Sequence, residues 1–212
     1  MQAHLPGAVA VVIGVVALGA TLLPDIWLLT RHVNTVVHEG AHATMASALG
    51  RKVVSVHVGR DGTGLTTARG GQRPGSVLFQ VAGYLGPSVL GLAAAKLIQI
   101  GHSIAVLWLA MVLLICMLVV VRRFFGVFTV IGCGVVLYIV AAQTSVGAQV
   151  VIAYGITWFL LLSGLRVIAE HGAAAGDAGE LRKLTRVPSG FWSFFWLAGS
   201  LVALAVGAVL LV

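Results

Sequence analysis

Charged side chains are scarce in this sequence. Only 9% of its 212 residues are charged and just six are acidic, whereas 59% are hydrophobic. The mean hydropathy of +1.07 is far above the value for a soluble domain. Cysteine is equally rare: Cys116 and Cys133 each lie in an apolar stretch, which excludes a disulfide framework and a Cys-x-x-Cys metal pair. The composition therefore predicts an integral membrane protein in the lipid bilayer.

Six apolar stretches are long enough to cross a bilayer, at about 20 residues each. A seventh, less apolar helix is predicted from Pro24 to Leu49, because proline and Asp25 suit a first helical turn and Gly50 suits the end. This helix either crosses the membrane or re-enters it. The predicted fold is an all-α polytopic membrane protein of about six to seven transmembrane helices, forming a single domain over residues 1–212. The six stretches lie near 7–23, 76–99, 103–121, 124–142, 147–169 and 191–212.

Two polar segments interrupt the apolar stretches. In the first, about 51–73, valines alternate with other residues from Val54 to Val58 before the turn signal Asp61-Gly62, which predicts a small β-hairpin. The second, about 170–190, contains a predicted short amphipathic helix that begins near Asp177.

Basic residues concentrate in three connections and form no continuous run, so we expect no nucleic-acid binding. If every helix crosses, these three connections lie on one side of the membrane. The positive-inside rule then predicts that this side is cytoplasmic. The residues are Arg51, Lys52, Arg60, Arg69 and Arg73, then Arg122 and Arg123, then Arg166, Arg182, Lys183 and Arg186.

The seventh helix carries the sequence His38-Glu39-Gly40-Ala41-His42. Histidines four residues apart on a helix point to one side and can bind the same ion. In the H-E-x-x-H pattern they bind zinc, and the glutamate accepts a proton from water. Ionisable groups inside a membrane are costly and usually mark function. The pattern predicts that His38 and His42 are metal ligands and that Glu39 is catalytic.

A catalytic zinc has three protein ligands, so one more residue must contribute. Asp25 lies about 20 Å from His38 along the same helix and is too far away. Asp61 already has a structural reason to occupy a turn. The pair Glu170-His171 and Asp177 both follow the apolar stretch near 147–169. The residues alone leave these alternatives open.

Four features together resemble the site-2 protease family of intramembrane zinc metalloproteases, in particular its compact bacterial branch. They are HEGAH in a membrane helix, a basic hairpin, AGYLGPSVLG in the next span, and GDAGELRKLTRVPSGFW before the last. The resemblance implies a Zn²⁺-dependent endopeptidase of the bacterial cytoplasmic membrane that cuts a transmembrane protein substrate in or near its membrane segment. It also implies that Asp177 is the third ligand, although alanine follows Asp177 where the family has glycine. The family's asparagine-proline element is missing.

Other functions remain open from the sequence: a catalytically inactive metal-binding scaffold, or a protein that handles metal ions. A transporter needs ionisable groups along a path, and the later spans offer almost none. The hairpin either receives an unwound substrate as an added strand or is a plain connection.

Two packing predictions concern small and aromatic residues. Gly83, Gly86 and Gly91 are expected to let neighbouring helices approach closely. Trp192 and Trp196 are expected at one membrane interface and Trp27 at the opposite one, because tryptophan is enriched there.

Overall fold

The computed structural model of the chain describes residues 4–70, 75–171 and 176–212. Arg73, which was assigned to the first basic connection, lies outside the described residues. Within these ranges the helices and strands follow the predicted order, and most helix ends fall within one or two residues of the predictions. The helices are α1 (Gly7–Leu22), α2 (Pro24–Ala48), α3 (Ser76–Gln99), α4 (Ser103–Val120), α5 (Phe124–Gln143), α6 (Val146–His171), α7 (Asp177–Thr185) and α8 (Ser189–Leu211). The strands are β1 (Val53–Val58), β2 (Gly64–Ala68) and β3 (Val121–Arg122).

Five of the described helices are long and apolar enough to cross a membrane: α3, α4, α5, α6 and α8. The first two helices meet at 97° and qualify only together, as one bent pair, which gives a sixth candidate span. The bend lies at Leu23, whose backbone is extended (φ −73°, ψ 119°), because a residue that precedes proline avoids helical angles. The predicted all-α polytopic fold is confirmed, with α2 as one arm of the bent pair.

The hairpin is also confirmed, and it forms part of a larger sheet than expected. β1 and β2 pair antiparallel, and the two-residue strand β3 pairs parallel with β1, with Val56 opposite Val121. The strand order β2-β1-β3 puts β1 in the centre. The hairpin and the connection between α4 and α5 therefore lie at the same end of the helix bundle.

Helix α3 packs against α2, α6 and α8, and its glycines make the approaches to α2 and α6 possible. A side chain at Gly86 would collide with Ala41 of α2, and one at Gly91 would come within 3.0 Å of the backbone nitrogen of Leu161 in α6. The predicted role of these glycines in close helix packing is confirmed.

The prediction that Trp27 and Trp196 lie at opposite membrane interfaces is wrong, and Trp192 is partly buried against the same cluster as both. Trp27 is only 3% exposed and Trp196 only 1% exposed, and both lie in a buried cluster with Leu181 of α7. Trp196 stacks on Tyr84 of α3, with ring centroids 4.3 Å apart. The aromatic rings of this cluster fill the space between helices near α7. Packing inside the protein therefore outweighs the preference of tryptophan for the membrane interface.

Two buried hydrogen bonds join helices that are distant in sequence. The hydroxyl of Ser88 in α3 donates to that of Ser200 in α8 at 2.9 Å. Ser163 in α6 donates to the side-chain oxygen of Asn34 in α2, also at 2.9 Å. Polar contacts of this kind hold transmembrane helices together because lipid offers no alternative partner.

Candidate metal centre

The two histidines of the H-E-x-x-H sequence point to one place. His38 and His42 lie one turn apart on α2, and their Nε2 atoms are 3.2 Å apart. The side chain of His42 is almost fully buried, while that of His38 keeps 15% of its surface exposed. The helical spacing therefore brings the pair together as predicted.

Asp177 approaches the same point from the other end of the sequence. Its Oδ2 atom lies 3.0 Å from His42 Nε2 and 3.3 Å from His38 Nε2. Asp177 is the first residue of α7. Ala178 and Leu181, which are 2% and 0% exposed, fix this helix against the core. The packing of α7 thus determines where the carboxylate lies.

The spacing of these three atoms fits a zinc ion. Zinc–ligand distances of about 2.0–2.1 Å with tetrahedral angles place neighbouring ligand atoms about 3.3–3.4 Å apart. The three separations here are 3.0, 3.2 and 3.3 Å. Two imidazoles and one carboxylate are also a common zinc ligand set that leaves a fourth position for water or substrate.

The protonation of His42 supports the same conclusion. Its Nδ1 atom lies 2.7 Å from the backbone carbonyl oxygen of Phe79 in α3, and a carbonyl can only accept a hydrogen bond. Nδ1 must therefore carry the proton, and Nε2 of a neutral ring presents a lone pair toward the Asp177 carboxylate. Two acceptors 3.0 Å apart need a proton or a cation between them. A hydrogen bond of this type also fixes the ring of a metal-bound histidine.

Asp177 is suited to be a ligand because its carboxyl group stays ionised. Burial alone raises the pKa of Asp177, but when Nε2 of His38 and of His42 carries a proton, their hydrogen bonds and charges outweigh burial and hold this pKa well below its usual range. A carboxylate must be deprotonated to bind a metal ion.

Glu39 lies beside this group and is held by the hairpin. It is 3% exposed, and its Oε2 atom accepts a hydrogen bond of 2.6 Å from the hydroxyl of Thr66 on β2. Among the described residues, the three that could share a metal ion are His38, His42 and Asp177, without Glu39. This separation matches the H-E-x-x-H chemistry, in which the glutamate remains outside the ligand set.

The first glycine of AGYLGPSVLG lies directly against the two histidines. A Cβ atom at Gly83 would collide with His42 Nε2 and would lie 2.6 Å from His38 Nε2. Glycine is therefore the only residue type at position 83 that leaves both ring nitrogens where they are.

The other proposed third ligands lie elsewhere. Asp61 is in the hairpin turn, where hydrogen bonds from the hydroxyl and backbone N–H of Thr63 lower its pKa. Glu170 pairs with Arg166 on its own helix at 2.9 Å. Neither residue belongs to the group that could hold a metal ion among the described residues.

An open cavity of about 330 Å³ lies between β2, the first turns of α3, and α7. Its walls include Thr66, which holds Glu39, and Phe79, which holds His42. The cavity therefore reaches the two residues that form hydrogen bonds with Glu39 and His42.

Sequence reasoning missed the groups that orient the candidate site. Phe79 acts through its backbone carbonyl, for which residue type gives no signal. Thr66 and Gly83 have one weak signal each: Thr66 belongs to the predicted hairpin, and Gly83 to a glycine-rich stretch.

Comparison with protein families agrees with the geometry. The family model described as Peptidase M50B-like matches residues 11–207, which include α2, the hairpin, α3 and α7. Comparisons with curated proteins and with solved structures gave no match. The family match confirms the resemblance to the site-2 proteases noted in the sequence.

Proposed function

The chain belongs to the Peptidase M50B-like family of membrane-embedded zinc metallopeptidases, and on this premise we propose that it is an active intramembrane zinc endopeptidase. One observation carries the proposal. Ligand atoms of His38, His42 and Asp177 meet within 3.3 Å although Asp177 is 135 residues from His42, and Glu39 is buried beside them.

In this proposal His38 Nε2, His42 Nε2 and an Asp177 carboxylate oxygen would hold Zn²⁺. Zinc supplies Lewis-acid chemistry: it polarises a peptide carbonyl and makes water more acidic. The Phe79 carbonyl keeps His42 in the tautomer that binds metal, and the packing of α7 keeps Asp177 in reach.

Glu39 is the proposed general base. Its carboxylate accepts the proton of the attacking water and then delivers it to the nitrogen of the leaving amine. Burial of the carboxylate keeps it close to the reacting groups and away from bulk solvent, while the Thr66 hydroxyl holds one oxygen.

The proposed substrate is a segment of a membrane protein that has lost its helical hydrogen bonds. A peptide bond in an intact transmembrane helix is shielded, so the segment must unwind before it reacts. β2 lies at one edge of the described sheet, with β1 as its partner on the other side. Its outer edge offers backbone groups to an extended segment, which can add there as another strand.

We propose a bacterial cytoplasmic membrane as the location, with the basic connections in the cytoplasm. The sheet brings two of these connections, the hairpin and the residues around Arg122, to one end of the bundle. Short links between the other helix ends, such as 100–102, carry no lysine or arginine. This asymmetry is the one that the positive-inside rule uses.

The test compares the wild type with Glu39→Gln in bacterial membranes. Membrane fractions from cells that make each protein are analysed by terminal labelling and mass spectrometry. We expect new protein termini within or beside transmembrane segments for the wild type, and a decrease of about a hundredfold to ten-thousandfold for Glu39→Gln, as is typical for loss of a general base.

The zinc content of both purified proteins is the control. We expect Glu39→Gln to keep its zinc, because Glu39 lies outside the ligand group. A zinc-loaded wild type that produces no new termini would contradict the proteolytic function and favour a metal-binding scaffold. Equal cleavage by Glu39→Gln would contradict the assigned base.

A further inference from the structure

A buried carboxylate needs hydrogen-bond partners, since leaving water is costly for a charged group. Glu39 is 3% exposed, and the Thr66 hydroxyl donates to its Oε2 at 2.6 Å. The same hydroxyl lies 3.1 Å from the backbone oxygen of Glu39, but it has a single hydrogen and the carboxylate is the nearer and stronger acceptor. Thr66 therefore holds the side chain of Glu39.

A second residue of β2 makes room for the carboxylate. A Cβ atom at Gly64 would collide with Glu39 Oε1 and would lie 2.7 Å from its carboxyl carbon. Gly64 and Thr66 are two residues apart on a strand, so they lie on the same face. Leu65 between them is 60% exposed, as expected for a residue on the opposite face.

The strand that carries these residues is firmly attached to the helix that carries Glu39. Val56 and Val58 of β1 are 0% and 1% exposed, and they pack in a buried cluster with Val36 and Ala43 of α2. β1 in turn pairs with β2 from Val53 to Val58. The distance from β2 to Glu39 is thus fixed by hydrophobic packing on both sides of the catalytic sequence.

We propose that Gly64 and Thr66 form a seat for the general base: Gly64 provides the space for the Glu39 carboxylate, and Thr66 fixes its orientation. The hairpin is then part of the catalytic apparatus as well as a candidate docking edge for the substrate. This inference rests on the proposed function, in which Glu39 transfers the proton. Thr66 acts through Glu39 and is a positioning residue.

The first test replaces the hydroxyl of Thr66 while keeping its shape. With a peptide that spans a cut site identified as above, Thr66→Val is expected to lower kcat about tenfold to a hundredfold with little change in KM. Zinc content should not change, because Thr66 bonds to Glu39, which lies outside the ligand group. Thr66→Ser keeps the hydroxyl and should restore most of the rate.

Gly64→Ala tests the space beside the carboxylate and should lower kcat at least as much. Two substitutions serve as matched controls. Thr44→Val removes a hydroxyl on the same helix as Glu39 that bonds to its own helix at Gly40. Gly132→Ala adds a methyl group where the structure has open space. Both control variants should cleave like the wild type.

The second test does not depend on cleavage. The chain contains three glutamates, so infrared spectra of protein labelled with ¹³C-glutamate can be assigned by subtracting the spectrum of Glu39→Gln. We expect the Glu39 carboxyl band to shift in Thr66→Val, to return in Thr66→Ser, and to stay in place in Thr44→Val.

The outcomes separate this inference from the proposed function. An unchanged Glu39 band in Thr66→Val overturns the seat, whatever the activity. A shifted band with an unchanged kcat overturns its role in positioning the base. If the wild type cleaves nothing, the proposed function fails, while the band still shows whether the hairpin holds Glu39.

Discussion

Two regions of the molecule contain similar apolar residues but bury them to different extents. One is the region around α2, α3, α6 and α7, and the other is the pair α4–α5. Among the candidate spans, α4 and α5 are the most apolar and also the least buried inside the protein, whereas α6 is the most buried. Gly132 and Gly134 of α5 face open space. Gly83, Gly86 and Gly91 of α3 each meet a neighbouring side chain at close range.

This difference shows that apolar character in a membrane protein does not identify the core. Lipid is as apolar as leucine, so the most hydrophobic helices gain little by packing inside the protein. Small and polar residues gain more, because they permit close approach and find partners there. The candidate metal centre lies where such residues meet, whereas the connection between α4 and α5 contributes the short strand β3 at one edge of the sheet.

The largest effect on stability should come from a leucine in the central region. Leu161 of α6 is 0% exposed and packs against Gly91 and Gly207. Leu161→Ala should lower the free energy of unfolding by about 2–5 kcal/mol, the usual range for a leucine cavity. Leu113→Ala in α4, where the side chain is 44% exposed, should change it by less than about 0.5 kcal/mol.

Unfolding in mixed micelles with increasing denaturing detergent measures both values. Equal destabilisation by the two substitutions would show that α4 packs as tightly as α6. The contrast between the two regions would then be wrong.

The next effect concerns metal binding. Gly83→Ala places a methyl group against both ring nitrogens, so the histidines must move apart. Zinc affinity should fall about tenfold to a hundredfold, as for other changes that disturb the orientation of metal ligands. Gly132→Ala in α5 should leave the affinity as it is. Competition with a coloured zinc chelator measures the affinities, and an unchanged value for Gly83→Ala would contradict the described contact.

The smallest effect comes from a single buried hydrogen bond. Ser200→Ala removes the acceptor of Ser88 between α8 and α3 and should lower the free energy of unfolding by about 0.5–2 kcal/mol. Thr129→Val in α5 removes a hydroxyl that bonds to its own helix at Phe125 and should have less effect. The same unfolding titration compares them, and a larger loss for Thr129→Val would reverse the expected order.

The helices were predictable because apolar stretches of about 20 residues alternate with short polar links. The hairpin was predictable from its alternating valines and its Asp61-Gly62 turn. Strand β3 was not, because two residues carry no pattern of their own and Val121 finds its partner, Val56, 65 positions earlier. The bend at Leu23 has a local signal in Pro24, but its angle depends on how α1 packs against α6.

The candidate site was predictable only where its geometry follows from nearby positions in the sequence. His38 and His42 are related by helix geometry, which the sequence contains directly. The approach of Asp177 depends on the packing of α7, and the residues alone left Asp61 and Glu170 as alternatives; the family resemblance pointed to Asp177. The groups that orient the site, Thr66 and the Phe79 carbonyl, belong to contacts that only the folded chain brings together.

The most direct test of the central claim is the zinc content of the purified protein and two aspartate variants, measured by mass spectrometry of the metal. The wild type should hold about one zinc ion per chain, in keeping with a single group of three ligands among the described residues. Asp177→Ala should lose the ion, and Asp61→Ala should keep it. Retention of zinc by Asp177→Ala together with its loss from Asp61→Ala would contradict the account and move the third ligand to the hairpin.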